Sequence, residues 1–133
     1  MIIKISPDKE KAKSLQKMAL NRKNVMTDLK KIKYSTIIAE NYYEIIKELI
    51  IAIFLTKGKK SVGENAHKDL IEEISKENIL KPSEIFLINE LRIKRNNSYY
   101  SGKQIEKIFI DNYTNELEKI INTLEIELSK FLS

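Results

Sequence analysis

Residues 37–55 read IIAENYYEIIKELIIAIFL, and this stretch decides the fold. Its apolar side chains recur every three to four residues, which is the period of a helix. From Ile50 onward the pattern is apolar nearly all round, as in the central helix of a bundle or at a dimer seam. Gly58 follows as a natural C-cap. We predict a helix from about Ser35 to Gly58, and we expect Leu49 to Leu55 to carry apolar surface beyond what one copy covers.

The same period organises the chain on both sides of this helix. No run alternates with period two, so we predict no sheet. The fold class that follows is all-α, an antiparallel bundle of about five helices in one domain spanning residues 1–133. The other predicted helices are a first from about Pro7 to Lys33 with a break near Asn21 to Asn24, a short third over Ala66 to Glu77, a fourth from Pro82 to about Asn96, and a fifth from about Gly102 to Leu132.

Composition excludes several classes of protein. Apolar residues make up 42% of the chain and charged residues 32%, which is typical of a globular domain. With no cysteine and one histidine, disulfides, thiol chemistry and an ordinary zinc site are excluded, and we expect neither a metal nor a cofactor. No apolar run approaches the roughly 20 residues of a membrane span, and the first residues are charged too early for a signal peptide. We expect a cytoplasmic protein with no membrane partner.

Positive charge is concentrated in the first quarter of the chain. Met1 to Tyr34 carries ten Lys and Arg against three acids, a balance of +7 within a net charge of +5. A segment with this charge favours binding to a polyanion or to an acidic partner. A solvated helix face in a lysine-rich chain has the same composition, so both interpretations stay open.

Residues 91–102 read LRIKRNNSYYSG and join the last two predicted helices. Arg92 and Arg95 are three apart and share a helix face. A purely structural interpretation exists, with a basic helix end, a capping box over residues 101–104 and Tyr100 packing onto Ile105 as a hydrophobic staple. The stretch is also free of acids and rich in donors for an anion and in aromatic faces for a base. The candidate residues for binding RNA or a nucleotide are Arg92, Lys94, Arg95, Asn96, Tyr99 and Tyr100.

A resemblance rests on these residues. Arg95-Asn96-x-x-x-Tyr100 resembles the Arg-polar-x-x-x-His motif of the HEPN superfamily, which lies at the junction of two helices of a small bundle. Tyr42-Tyr43-Glu44 resembles part of the second HEPN helix, and residues 66–71, AHKDLI, resemble the short helix that follows it. This chain departs from the motif at one position, where Tyr100 replaces the histidine.

The resemblance implies a homodimer in which two motifs meet. In HEPN ribonucleases the RNA 2′-hydroxyl attacks the adjacent phosphorus without a metal. By that resemblance the candidate catalytic residues are Arg95, which would stabilise the phosphorane, and Tyr100, which stands at the histidine position beside the orienting Asn96. Tyrosine titrates near pH 10 and is a poor general base at pH 7. We therefore expect a homodimer that binds RNA or a nucleotide and cleaves weakly or not at all.

Many HEPN domains act in toxin–antitoxin pairs with a small nucleotidyltransferase, which modifies a tyrosine near the motif. The resemblance therefore implies such a transferase as a candidate partner, with Tyr99 or Tyr100 as the modified residue.

Two alternatives remain open. One is an active, metal-independent endoribonuclease toxin. The other is a structural or partner-binding bundle whose basic first helix docks on an acidic surface. We expect His67 to have a structural or surface role, since it is distant from the motif in sequence.

Overall fold

The computed structural model describes residues 1–29 and 34–133. Within those ranges the chain forms five helices and one pair of short strands, and the prediction of an all-α bundle of about five helices is confirmed. In chain order the elements are β1 (Ile2–Lys4), α1 (Lys9–Leu29), α2 (Ser35–Thr56), β2 (Lys59–Ser61), α3 (Ala66–Ser75), α4 (Pro82–Ser101) and α5 (Lys107–Leu132).

The prediction of no sheet was wrong. β1 and β2 pair antiparallel, with Ile3 opposite Lys60. Beyond the strands the Ile5 amide donates to the carbonyl of Gly58 at 2.7 Å. Strands of three residues are too short for side-chain alternation to reveal them, and their pairing depends on backbone groups that every sequence carries.

Helix α2 is the centre of the bundle. It packs against α1, α3, α4 and α5, so its sides are covered by other parts of the same chain. The expectation of surplus apolar surface at Leu49 to Leu55 was therefore wrong, because six of these seven side chains are buried within one copy and only Ile51 is partly exposed. The buried side chains of the described residues form one continuous cluster that runs the length of α2.

Helix α1 begins at Lys9, and Asp8 caps it. The Asp8 carboxylate accepts a hydrogen bond from the Lys11 amide at 3.0 Å, which satisfies one of the free donors of the first turn. The helix is continuous through residues 21–24, so the predicted break there was wrong. Its predicted end at Lys33 lies outside the described residues.

One ion pair joins α1 to α2 inside their contact. The Arg22 guanidinium lies 2.7 Å from Oε1 of Glu48, a residue only 4% exposed. Its second oxygen, Oε2, has no hydrogen-bond partner among the described residues. The small side chains of Ala12 and Ala19, which precede Arg22 on α1, are both buried in the core.

Helix α3 is shorter than predicted, ending at Ser75, and Leu70, Ile71 and Ile74 on it are buried. Helix α5 begins at Lys107 instead of Gly102, and Ile108 in its first turn is exposed. No helix within the described ranges combines the length and apolar character that crossing a membrane requires.

Candidate functional site

The Arg-Asn-x-x-x-Tyr motif lies within the last turns of α4 and not in a linker. The helix continues to Ser101, and Gly102 ends it with a left-handed φ of 67° while its amide donates to the Ser98 carbonyl at 3.0 Å. Glycine takes this conformation at little cost, which makes it the usual residue just past a helix end. The predicted end at Asn96 and the capping box over residues 101–104 were both wrong. Tyr100 is therefore not placed for an N-terminal staple.

Because α4 runs through the whole motif, helical geometry sorts the candidate residues. Positions 92, 95, 96, 99 and 100 are spaced three or four apart and share one face of the helix. Lys94 falls on another side, where its ammonium lies 5.0 Å from the centre of the Phe109 ring of α5. The structure thus brings five of the six predicted residues to one face and leaves Lys94 away from it.

This face lines a cleft of about 380 Å³ between the end of α4 and the start of α3. The opposite wall is the turn before α3 together with its first helical turn. At that end of α3 the free backbone N–H groups favour an anion. The lining residues are Gly63, Glu64, Asn65, Ala66, His67, Lys68, Arg92, Arg95, Asn96 and Tyr100.

The two arginines differ in how far they are already engaged. Arg95 contacts Glu44 of α2 at 3.4 Å, but the other oxygen of Glu44 is held by Lys47 at the shorter distance of 2.8 Å. Arg92 makes a long hydrogen bond of 3.4 Å to Asn89, and no carboxylate within the described ranges pairs with it. Arg92 is therefore the guanidinium with the most capacity to bind an external anion.

Two tyrosine rings contact the guanidinium of Arg95. Its guanidinium lies 5.8 Å from the ring centre of Tyr43 on the inner side and 5.2 Å from that of Tyr99 on the outer side. Burial raises the pKa of Tyr43 to about 12, so its hydroxyl stays protonated beside the arginines. Stacking of this kind holds a guanidinium in place without using its hydrogen-bond donors.

His67 lies in this cleft, although it is distant from the motif in the sequence. Its ring centre is 6.3 Å from that of Tyr43. Burial, followed by the positive charges of Lys47 and Arg95, lowers the pKa of His67 below its ordinary value, and Glu44 opposes this effect only in part. The imidazole is therefore neutral at pH 7 and able to accept a proton. The expected structural or surface role of His67 stays a prediction, and its place in the cleft results from the packing of α3 against α4.

Tyr100 lines the cleft and Tyr99 lies beside it, and we call these two residues the lip of the cleft. Tyr99 and Tyr100 meet edge to face at 5.0 Å and are 70% and 77% exposed. Exposed aromatic faces next to an arginine suit stacking against a base.

Hydrogen bonds to α2 hold the end of α4 in place. The Ser98 hydroxyl donates to the Glu40 carboxylate at 3.0 Å. After the helix, the Ile105 amide donates to the Thr36 hydroxyl at 2.9 Å, and the Ser35 hydroxyl donates to the Ile105 carbonyl at 2.7 Å. The C-terminal part of the motif face is thereby fixed against the central helix.

The chemistry available in the cleft is anion binding beside a neutral imidazole. Across the described part of the chain, no group of three His, Cys, Asp or Glu side chains is arranged to hold a metal ion. Comparison with protein-family models, with curated proteins and with solved structures finds no match. The resemblance to HEPN domains accordingly stays a prediction.

Proposed function

We propose that the cleft binds a phosphate group of RNA or of a nucleotide, and that the protein is a HEPN-like homodimer of the cytoplasm. The observation that carries the proposal is the convergence of Arg92 and Arg95 on one cleft, with Arg92 lacking a carboxylate partner within the described ranges. Guanidinium groups form paired hydrogen bonds to phosphate oxygens and stay charged at every physiological pH.

The lip of the cleft supports a nucleic-acid ligand over free phosphate. Tyr99 and Tyr100 offer exposed rings, and stacking on one aromatic side chain contributes about 1–3 kcal/mol per base. Asn96 adds an amide that can orient a phosphate or read a base edge. These groups occupy one helix face over about two turns.

Replacing Arg92 with Gln tests this site. Loss of a charge-assisted hydrogen bond of about 1.5–3 kcal/mol should weaken binding of single-stranded RNA by about 10- to 100-fold. Fluorescence anisotropy with labelled RNA and with a labelled nucleotide measures the affinity of each variant. Lys94→Gln is the matched control, because it removes the same charge from the same helix on the side facing away from the cleft. Equal losses for both variants would show only general charge attraction and would contradict the site.

A second copy would pack along α4. Phe86, Ile93 and Tyr100 recur every seven residues on this helix and are exposed, and the last of them belongs to the motif. A seven-residue apolar repeat is the pattern of a helix–helix seam, and two-fold pairing is the commonest oligomer geometry. Pairing near the end of α4 would bring two motifs together. Two arginine clusters repel each other, so a bound anion should strengthen such a dimer.

The dimer prediction is that Ile93→Lys gives a monomer while Ile126→Lys does not change association. Both side chains are 50% exposed, but Ile126 lies on α5 away from the seven-residue repeat. Sedimentation equilibrium at low micromolar concentration, with and without phosphate, measures it. An unmodified chain that is monomeric in both conditions would remove the dimer and any composite site.

His67 favours a second candidate function, the active metal-independent ribonuclease. The 2′-oxygen would bond to phosphorus as the bond from phosphorus to the 5′-oxygen breaks. His67 would take the proton of the 2′-hydroxyl, and the leaving 5′-oxygen would take one from water. The products would be a 2′,3′-cyclic phosphate and a 5′-hydroxyl. In this candidate His67 supplies the base that Tyr100 cannot supply at pH 7.

The ribonuclease candidate predicts that purified protein cleaves RNA and that His67→Gln lowers the rate by about 10²- to 10⁴-fold, the usual contribution of general acid–base catalysis. Because the pKa of His67 lies below its ordinary value of 6.5, the base form dominates at neutral pH. The rate should therefore fall only as the pH drops below about 6.5, the unperturbed value for histidine. Gel analysis of RNA across pH measures both effects. If the unmodified chain cleaves no RNA, the ribonuclease candidate is contradicted and only the proposed binding function remains.

If the chain is the toxin of a pair, a nucleotidyltransferase partner would find both motif tyrosines accessible. The exposed hydroxyls of Tyr99 and Tyr100 support this role. Mass spectrometry of the chain co-expressed with the product of its gene neighbour would detect an added nucleotide on one of them. An unmodified chain and normal growth of cells expressing it alone would count against the toxin.

A further inference from the structure

A second pocket lies on the other side of His67 from the motif cleft. It is enclosed by α1, α2, β2 and the start of α3, and its volume is about 290 Å³. Ala66 and His67 line both this pocket and the motif cleft, so the first turn of α3 is the wall between them. Nothing in the proposed binding of RNA or a nucleotide uses this space.

The floor of the pocket is apolar. It is formed by Leu15, Ile51, Phe54, Leu55 and Leu70. The Ser61 hydroxyl at its edge already donates to the Ala66 carbonyl at 2.6 Å. A ligand here gains free energy mainly by moving hydrocarbon out of water, and a polar neutral ligand would find few partners.

The charged residues at the rim are all basic. Lys59 is engaged by Glu73 at 3.4 Å and by Glu77 at 3.7 Å. In residues 1–29 and 34–133, no carboxylate pairs with Lys11 or Lys60, although both line the pocket and are exposed. No acidic side chain lines it. An apolar floor under an unneutralised basic rim complements a ligand with a hydrocarbon body and one negative group.

We propose that this pocket binds a small apolar carboxylate, with its hydrocarbon body against Phe54 and its carboxylate at Lys11 and Lys60. The volume is at the lower limit of the roughly 300–1,000 Å³ typical of small-molecule sites, which restricts the ligand to a single short chain or ring. The inference is independent of the proposed function, because the two sites use different side chains except for the shared wall.

Isothermal titration calorimetry with octanoate tests the proposal, with butyrate, octanol and octylamine as comparisons. Each methylene buried contributes about 0.8 kcal/mol, or about fourfold in Kd, so butyrate should bind at least about tenfold more weakly than octanoate. Octanol and octylamine should also bind at least about tenfold more weakly, because they lack the negative group. No heat from octanoate up to millimolar concentration, or equal binding of octanol, would overturn the proposal.

Two variants examine the rim and the floor separately. Lys60→Gln should weaken octanoate at least about threefold and leave octanol unchanged, whereas Lys17→Gln, an exposed lysine of α1 outside the pocket, should change neither. Leu15→Trp should fill the pocket and abolish octanoate binding, with its circular dichroism spectrum confirming the fold. Arg92→Gln, which is expected to weaken RNA binding, should leave octanoate unaffected. Unchanged octanoate affinity in both Lys60→Gln and folded Leu15→Trp would overturn the assignment.

Discussion

Replacing Arg22 with Met is expected to destabilise the protein by about 2 kcal/mol, less than the loss of one partner from a fully buried ion pair, because the Arg22 side chain is itself 37% exposed. Glu48 is almost fully buried, and Arg22 is its ion-pair partner. Without that partner the carboxylate must stay charged in a dry environment or take up a proton. Methionine replaces the aliphatic stem of arginine but not its guanidinium, so the loss reflects mainly the missing charge. Urea unfolding followed by circular dichroism measures it.

The neighbouring residue gives the matched control. Lys23 pairs with Glu125 at 2.8 Å, but both side chains are partly in solvent. Exposed pairs contribute about 0–1 kcal/mol, so Lys23→Met should cost less than about 1 kcal/mol. The double variant Arg22→Met/Glu48→Leu should recover most of the loss, because neither charge then remains in the interface. Equal destabilisation by Arg22→Met and Lys23→Met would contradict this account of the pair.

A second large effect is expected at Gly58, where alanine should destabilise the fold by about 3 kcal/mol, within the range for a strained backbone position combined with a steric clash. Its φ is +72°, and an added Cβ would lie 2.5 Å from the Ile5 carbonyl oxygen. That oxygen is backbone and cannot rotate away. Relief would require opening the hydrogen bond from the Ile5 amide to the Gly58 carbonyl and with it the start of the β1–β2 pairing.

A Gly102→Ala variant separates the cost of the left-handed φ from the cost of the steric clash. The φ of Gly102, +67°, is nearly the same, but an added Cβ would meet nothing within 4 Å. Gly102→Ala should therefore cost only the left-handed penalty of about 1 kcal/mol. Thermal or urea unfolding of the two variants side by side measures the difference. A Gly58→Ala variant as stable as Gly102→Ala would show that the β1–β2 end of the molecule adjusts without cost.

The helices could be predicted because each carries a long apolar period and begins or ends at a recognisable residue. Pro82 begins α4 as predicted. The end of that helix was missed because Ser101-Gly102 fits two patterns, a cap for the next helix and a terminator of the previous one. Tyr99 and Tyr100 are spaced from Arg95 and Arg92 as residues on one face of a continuous helix are. This spacing is the signal in the sequence that favours the second pattern.

The candidate site was only partly accessible from sequence. Arg92, Arg95, Asn96 and Tyr100 could be found because they are close together in the chain. His67 reaches the same cleft, and Tyr43 contacts Arg95 and His67 behind it, through packing of α3 and α2 on α4, which no local pattern encodes. The stretches containing both residues belong to the predicted resemblance to HEPN helices, and this resemblance is the signal in the sequence that relates them to the motif. The α1–α2 ion pair involving Glu48 likewise depends on a contact between residues 26 positions apart.

The motif face of α4 makes the site dependent on helical register. Each residue turns the helix by about 100°, so one residue inserted between Arg92 and Tyr100 would rotate the later positions out of the cleft. The same insertion in the loop of residues 102–106 would leave the face intact. Substitutions would weaken the site one contact at a time, whereas a single-codon insertion or deletion within this part of α4 would dismantle it in one step. Over evolutionary time, changes of chain length should therefore accumulate in the loop and be excluded from these two turns.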